Sequence, residues 1–296
     1  MPRDGDDMPM ITSNAPQQNG ENAKERCGCG QRAVWRGRLL FLAYFAAISH
    51  DVPAAHGLAS SYEKFSALKN KYDKAGGILY KQSVLSQKEF DVCRRELESL
   101  IGKGGSLRLA DETTSSVARN RIGGRIPPDS VIVDTLRNPE GSIFQLINEV
   151  EGADGNFVLS GEVPVEVRIY EKSGAGMEWH VDDVLFDPEQ TEVVLTIENS
   201  SDCATIWEEG KDDANPGKRV EVETAPNSAI LIKAGGARHK VTPLKYGKRV
   251  ILKFVYAREG ATLIDGAEKH IKQFASSSSL SRPKKQKRGS NSKKKR

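Results

Sequence analysis

Four apolar runs in the second half of the chain repeat with a period of two, and no helical pattern lies between them. Alternation of this kind is typical of strands whose side chains point to opposite faces of a sheet. Gly, Asn, Ser and Pro residues separate the runs, which favours an antiparallel sandwich or barrel over a helical or α/β protein. The runs cover residues 163–170, 192–197, 229–233 and 249–256.

The chain before these runs has helical periodicity instead. Ser86 and Glu89 have the spacing of a capping box and predict a helix that continues to Ile101. Cys93 lies on the apolar side of that helix, so we expect a core residue rather than a reactive thiol. The other expected elements are a helical lead-in at 61–75, a strand at 78–84, loops with one or two strands at 111–138, and a short helix between Pro139 and Gly152.

Three residues around the first and last runs have the chemistry of metal ligands. His180 and Asp182 follow the first run and a Gly-rich turn, and residues i and i+2 of an extended segment project to the same side. His239 stands just before the last run, where a sheet that closes on itself would bring it opposite the pair. Two imidazoles and one carboxylate with open positions form the ligand set of non-heme Fe(II) oxygenases.

One basic residue completes this arrangement. Three protein ligands leave room for a bidentate 2-oxo acid and dioxygen, and the far carboxylate of such an acid needs a cation. Arg249, ten residues after His239, offers a planar fork suited to a carboxylate. Lys248 is adjacent but would point to the opposite face of a regular strand.

These residues carry a family resemblance that extends over about 76–257. Tyr170, His180, Asp182, His239 and Arg249 resemble the core of Fe(II)/2-oxoglutarate dioxygenases, particularly the prolyl 4-hydroxylase-like branch. The resemblance implies that the two histidines and the aspartate hold iron. It implies further that Arg249 binds the distal carboxylate of 2-oxoglutarate, where the branch often has lysine, and that Tyr170 lines the cosubstrate pocket.

The same resemblance implies a fold and a reaction. The fold would be mainly β with flanking helices, with a double-stranded β-helix (jelly-roll, cupin-like) core at about 157–257 packed by N-terminal helices, in a domain at 76–262. The reaction would hydroxylate a C–H bond, with prolyl residues of a peptide or protein as candidate substrate. It would convert 2-oxoglutarate to succinate and use ascorbate as a reductant for iron.

The chain also departs from the family pattern. Many members have two glycines after the second core strand, whereas this chain has Ser201-Asp-Cys-Ala-Thr-Ile-Trp207. Trp179 beside the first ligand is also unusual. Both departures bear on the prolyl substrate more than on the iron site. The alternatives are a cupin-like protein without activity and a nucleic-acid-directed binding protein that uses the basic tail.

Both ends of the chain are polar, and their composition predicts disorder at 1–60 and 263–296. The apolar segment 39–48 is too short for a transmembrane helix and favours the hydrophobic region of a signal or targeting peptide, with an ordinary buried helix as the alternative. The Cys27-Gly-Cys29 pair lacks the further ligands of a zinc site.

The basic tail changes the interpretation of the net charge. The chain has 44 Lys and Arg against 40 Asp and Glu, but nine of the basic residues lie at 282–296, so the body is mildly acidic. The tail is compatible with nuclear import or nucleic-acid binding, although no aromatic residues interleave its charges as they do in single-strand binding platforms. The segment 39–48 favours a location in the secretory pathway or an organelle, and the basic tail favours the nucleus as the alternative.

Overall fold

The computed structural model describes residues 67–112, 117–152, 156–210 and 217–276. The segment 39–48, the Cys27–Cys29 pair and the basic run 282–296 lie outside these residues, and the expectations about them remain predictions. Within the described part of the chain, no helix combines the length and the apolar character needed to cross a bilayer.

Most elements of the described part of the chain are short strands. In this part, four helices lie before residue 152, and one follows the last strand. The helices are α1 (67–74), α2 (Gln87–Ile101), α3 (Val131–Arg137), α4 (Ser142–Glu151) and α5 (Ala267–Ser276). The strands are β1 (Ile78–Gln82), β2 (Ala110–Glu112), β3 (Ala118–Arg119), β4 (Arg121–Arg125), β5 (Phe157–Leu159), β6 (Glu166–Tyr170), β7 (Gly176–His180), β8 (Phe186–Asp187), β9 (Thr191–Asn199), β10 (Thr205–Glu209), β11 (Lys218–Val222), β12 (Ser228–Lys233), β13 (His239–Val241), β14 (Arg249–Arg258) and β15 (Thr262–Leu263).

Two antiparallel sheets organise these strands. The major sheet has the order β1-β12-β9-β14-β6-β4-β2, with β5 also paired to β14, and the minor sheet has the order β11-β10-β13-β7-β3. Strands β8 and β15 form a separate pair. The four runs predicted from their period of two correspond to β6, β9, β12 and β14 of the major sheet. The predicted class, mainly β with flanking helices, is therefore confirmed.

Strand β14 shows how the major sheet divides the interior. Val250, Leu252 and Phe254 face the main core, which also contains Cys93 and other buried residues of the helices. The alternate residues face the minor sheet, and Ile251 packs there with residues of β13 and of the β9–β10 connection. Because both faces of β14 are covered, any charged side chain on its minor-sheet face is also removed from water.

The N-terminus of α2 is held as its sequence predicts. The Ser86 side chain accepts a hydrogen bond from the Glu89 backbone N–H at 3.3 Å, and the Ser86 backbone N–H donates to Glu89 Oε2 at 2.8 Å. Glu89 also accepts from the backbone N–H of Ser142 at the start of α4, so one carboxylate joins two helices. Cys93 is fully buried, and burial raises the pKa of its thiol to about 11, which confirms the interpretation as a core residue.

Three expectations require correction. The segment 111–138 contains helix α3 as well as short strands, because Ser130 caps a turn that buries Ile132 and Leu136. The tail is helical at Ala267–Ser276, where Ala267 and Ile271 pack against a small apolar cluster, so disorder over the whole of 263–296 was wrong. In the minor sheet, β3 lies in the segment 111–138, where strands were expected, but β7, β10, β11 and β13 were not predicted, because they are short and lack a clean alternation.

Candidate metal centre

His180 and His239 face each other across two neighbouring strands of the minor sheet. His180 ends β7, His239 begins β13, and the two residues are direct partners in the antiparallel register. Their ring centroids are 4.2 Å apart. Asp182 lies two residues beyond the end of β7, and one ligand atom from each of the three residues falls within 4.8 Å of the others.

Hydrogen bonds fix the orientation of both imidazoles. The Nδ1 of His180 lies 2.8 Å from the Glu178 carbonyl oxygen, and the Nδ1 of His239 lies 3.1 Å from the Ala237 carbonyl oxygen. A carbonyl oxygen can only accept, so each Nδ1 carries a proton, and Nε2 is the atom that the neutral imidazole offers to a metal. The Asp182 carboxylate lies 3.7 Å from the Nε2 of His180 and 3.5 Å from that of His239. All three donor groups therefore converge on one point.

The electrostatics of the site keep His180 and Asp182 in the protonation states that a metal requires. Burial lowers the pKa of His180 to about 4, repulsion from His239 acts in the same direction, and Asp182 opposes the shift. Burial would raise the pKa of Asp182, but Lys253 and the two histidines outweigh it and lower the pKa. Near neutral pH, His180 is thus a neutral imidazole and Asp182 a carboxylate. The set fits a first-row divalent ion such as Fe(II).

A buried ion pair stands directly behind the carboxylate ligand. The Lys253 ammonium lies 3.8 Å from Asp182 Oδ1 and forms a close ion pair with Glu192. Burial disfavours the charged form of Lys253, but the two carboxylates outweigh it and raise its pKa. Lys253 and Glu192 lie on the minor-sheet faces of β14 and β9. The ammonium therefore balances part of the negative charge that these strands place next to the ligand set.

Arg249 lies on the same face of β14 as Lys253, four residues away. Four residues of an antiparallel strand span about 13 Å, so the interior runs from the guanidinium of Arg249 to the ligand set near Lys253. Arg249 is 1% exposed, and its Nη2 donates to Thr205 Oγ1 at 3.2 Å. Its Nε and Nη1 have no hydrogen-bond partner. This buried cation thus presents free donors that suit a carboxylate.

The sequence-predicted residues of the site come together in this interior. Tyr170 is buried and pairs with Arg249 in the β6–β14 register, and its ring centroid lies 5.8 Å from the guanidinium carbon. Lys248, as expected, points to the outside, where it pairs with Glu198. The ion pair of Lys253 with Glu192 was missed. Charged residues at the inward positions of two alternating runs were the signal that could have revealed it.

The fold is similar to those of solved oxygenase structures. One is a Pseudomonas putida prolyl-4-hydroxylase, with 16% identity over 66% of this chain and 98% of that chain, and a TM-score of 0.50. Another is the non-heme α-ketoglutarate-dependent epimerase SnoN of nogalamycin biosynthesis, with 14% identity over 68% and 83% of the two chains and a TM-score of 0.53. The chain has the double-stranded β-helix fold of the 2-oxoglutarate–Fe(II) oxygenases.

The likeness lies in structure and not in sequence. The α-ketoglutarate-dependent carbocyclase SnoK is also similar, with 14% identity over 69% of this chain and 89% of that chain, and a TM-score of 0.51. No family model and no curated protein sequence matches the chain. At these identities the comparisons establish the fold. The resemblance stated from the sequence is thereby confirmed for the β-helix core.

Proposed function

We propose that this protein is an Fe(II)- and 2-oxoglutarate-dependent dioxygenase that hydroxylates a C–H bond of a peptide or protein. The observation that carries the proposal is the presence of two features between the same two sheets. A convergent His-Asp-His set lies at one end, and the buried guanidinium of Arg249 with unsatisfied donors lies at the other. A ligand that chelates a metal and ends in a carboxylate complements both features.

Each residue has a definite task in this proposal. His180, Asp182 and His239 would hold Fe(II) through two Nε2 atoms and one carboxylate oxygen. Arg249 would bind the distal carboxylate of 2-oxoglutarate, while Thr205 holds one arm of the guanidinium and Tyr170 covers its face. The apolar walls of the interior exclude water from the reacting groups. When bound, Fe(II) and 2-oxoglutarate supply the oxidation by dioxygen that yields succinate, carbon dioxide and a hydroxylated substrate.

The first test separates metal binding from turnover. Titration of the metal-free protein with Fe(II) under nitrogen, followed by 2-oxoglutarate and then oxygen, should give stoichiometric binding and then succinate. Asp182→Ala should abolish succinate formation, because it removes the only anionic ligand of the set. Asp183→Ala is a matched control, since the Asp183 side chain is exposed and pairs with the exposed His270. Equal turnover in both variants would refute the ligand assignment.

The prolyl substrate is the finer part of the proposal. The similar fold of a bacterial prolyl-4-hydroxylase supports it, whereas SnoN and SnoK, named as an epimerase and a carbocyclase, show that this fold also serves other oxidations. A peptide panel with and without proline, scored by mass spectrometry for gain of one oxygen atom, tests it. Oxygen gain on peptides without proline, and none on those with it, would exclude prolyl hydroxylation.

Ascorbate enters the proposal as a reductant only. We expect it to prolong turnover by returning oxidised iron to Fe(II), without changing the initial rate of succinate formation. Progress curves with and without ascorbate check this expectation. Superimposable curves would remove ascorbate from the scheme and leave the assignment of Fe(II) and 2-oxoglutarate intact.

A further inference from the structure

Trp179 carries three cations around its ring on the outer face of the minor sheet. The guanidinium carbons of Arg219 and Arg238 lie 5.4 Å and 5.3 Å from the ring centroid, and Lys240 Nζ lies 5.2 Å from it. The Trp179 side chain is half-buried, whereas Arg219 and Arg238 are exposed. We call these four residues the cationic lip.

The cationic lip lies directly outside the ligand set. Trp179 precedes His180 in β7, and Arg238 and Lys240 flank His239 at the start of β13. Neighbouring residues of a strand point to opposite faces. Because the two histidines point inward, their neighbours emerge on the outer side, at the same end of the sheet. A substrate that enters this end to reach the ligand set passes the lip.

The charges of the lip are only partly balanced by neighbouring carboxylates. Arg219 lies 3.5 Å from a carboxylate oxygen of Glu208. In the described part of the chain, no carboxylate lies within ion-pair distance of Arg238 or Lys240. Three like charges around one ring repel each other, and the cation–π attraction of exposed pairs offsets only about 0.5–1 kcal/mol each. A bound anion would neutralise this repulsion.

We propose that the cationic lip binds an acidic segment of the peptide substrate, next to the residue that is hydroxylated. This inference rests on the proposed function, which supplies the peptide. Arginine forks suit carboxylates through paired hydrogen bonds, and Lys240 adds a point charge. The lip and the ligand set lie on opposite faces of the same two strands, so an extended peptide needs only about three residues, or about 10 Å, to reach from one to the other. The acidic residues should therefore lie within a few positions of the hydroxylated residue.

The arrangement of the lip favours a peptide over a nucleic acid. Proteins that bind single strands present aromatic faces on which bases stack. The Trp179 ring has three cations packed around it, so a base would have to displace at least one of them to stack. Carboxylates can instead bind the outer edges of the guanidinium groups with the ring left in place.

The test is a binding measurement with the full-length chain, without added iron or 2-oxoglutarate. The probes are fluorescein-labelled peptides of alternating proline and glutamate, matched peptides of proline and glutamine, and a single-stranded oligothymidylate. The lip variant is Arg238→Glu/Lys240→Glu, with the milder Arg238→Gln/Lys240→Gln in case reversal affects folding. Lys88→Glu/Lys103→Glu is the control, because it makes the same change in net charge at exposed positions of the α2 region.

We expect the wild-type protein to bind the glutamate peptide about tenfold more tightly than the glutamine peptide. The lip variant should lose about that factor, since each exposed ion pair contributes up to about 1 kcal/mol, and the control should change by less than about twofold. Three results would each overturn the inference. The first is an equal loss of peptide affinity in the lip variant and the control variant, and the second is equal affinity of the wild-type protein for the two peptides. The third is binding of oligothymidylate that depends on the lip and is tighter than binding of the glutamate peptide. Because no turnover is involved, absence of succinate would refute the proposed function separately.

Discussion

Replacing Arg249 by methionine should leave the stability of the ligand-free protein nearly unchanged while it weakens 2-oxoglutarate binding strongly. Arg249 is 1% exposed and two of its nitrogens lack partners, so the folded protein holds a cation that is incompletely compensated. Burial accordingly lowers the pKa of the guanidinium. Methionine is long enough to fill much of the space and has no charge to desolvate.

The two magnitudes follow from the contacts of the guanidinium. Replacing buried ionic groups by apolar ones of similar size changes stability by about 0 to +4 kcal/mol. The lost hydrogen bond to Thr205 and the lost contact with Tyr170 subtract about 1–2 kcal/mol, so the net change in stability lies between about −2 and +3 kcal/mol, with a midpoint near zero. Two charge-assisted hydrogen bonds to the cosubstrate contribute about 1.5–3 kcal/mol each. Their loss should raise the Kd for 2-oxoglutarate at least about 100-fold.

Urea denaturation with and without 2-oxoglutarate measures the first quantity, and isothermal titration of the metal-loaded protein measures the second. The wild-type protein should gain stability from the ligand with the logarithm of one plus the ratio of ligand concentration to Kd, and Arg249→Met should gain much less at the same concentration. Lys248→Met is the control, because this neighbouring side chain points outward and pairs with Glu198, an interaction worth at most about 1 kcal/mol. A destabilised Arg249→Met variant that keeps wild-type affinity for 2-oxoglutarate would show that the guanidinium is structural.

Three further predictions concern the framework of the site. Glu89→Gln should lower stability by about 1 kcal/mol near neutral pH. Burial disfavours ionisation of Glu89, but hydrogen bonds from Ser86 and Ser142 lower its pKa below 4.5, so the difference should shrink as pH falls through that value in pH-dependent denaturation. Lys253→Met should cost the metal-free protein about 3–5 kcal/mol well above neutral pH, because breaking a buried pair leaves a carboxylate uncompensated. Burial and the neighbouring Asp182 raise the pKa of Glu192 to about 7, so this cost should shrink as the pH falls and Glu192 takes up a proton; a cost near zero in urea denaturation well above neutral pH would show that water reaches the pair. Leu252→Ala, at a fully buried position of β14, should cost about 2–5 kcal/mol, and a loss of less than about 1 kcal/mol in thermal unfolding would contradict the assigned core.

The major sheet could be predicted from the sequence because its strands are long enough to show alternation. β9 and β14 each have an apolar row against the helices, and that row sets the period of two. The minor sheet offered no such signal. β7 reads Gly-Met-Glu-Trp-His and is irregular in its pairing with β13, which has only three residues. The two strands that carry the histidines could therefore not be predicted from the sequence, although the histidines themselves were recognisable as metal ligands.

The helices at the edges of the domain were harder to predict for a different reason. α3 has seven residues, too few to display a full helical period, and its apolar residues follow a proline pair that suggested a loop. α5 has a polar composition, and its packing depends on an apolar cluster that includes Leu185 and Val255. Those partners are distant in sequence, so the tail could be recognised as helical only once the cluster was assembled.

The charged interior shows why the site was only partly predictable. In a strand with one face in water, a charged residue at alternate positions is the expected pattern and carries no information. β14 is covered on both faces, by the helices on one side and by the minor sheet on the other, so Arg249 and Lys253 are both buried charges that need partners. Lys253 finds one in Glu192, whereas in the described part of the chain no carboxylate forms an ion pair with Arg249. The two cations of this strand therefore differ in their surroundings: Lys253 has a carboxylate partner beside the ligand set, and Arg249 has two nitrogens without a partner, which the carboxylate of the proposed 2-oxoglutarate would supply.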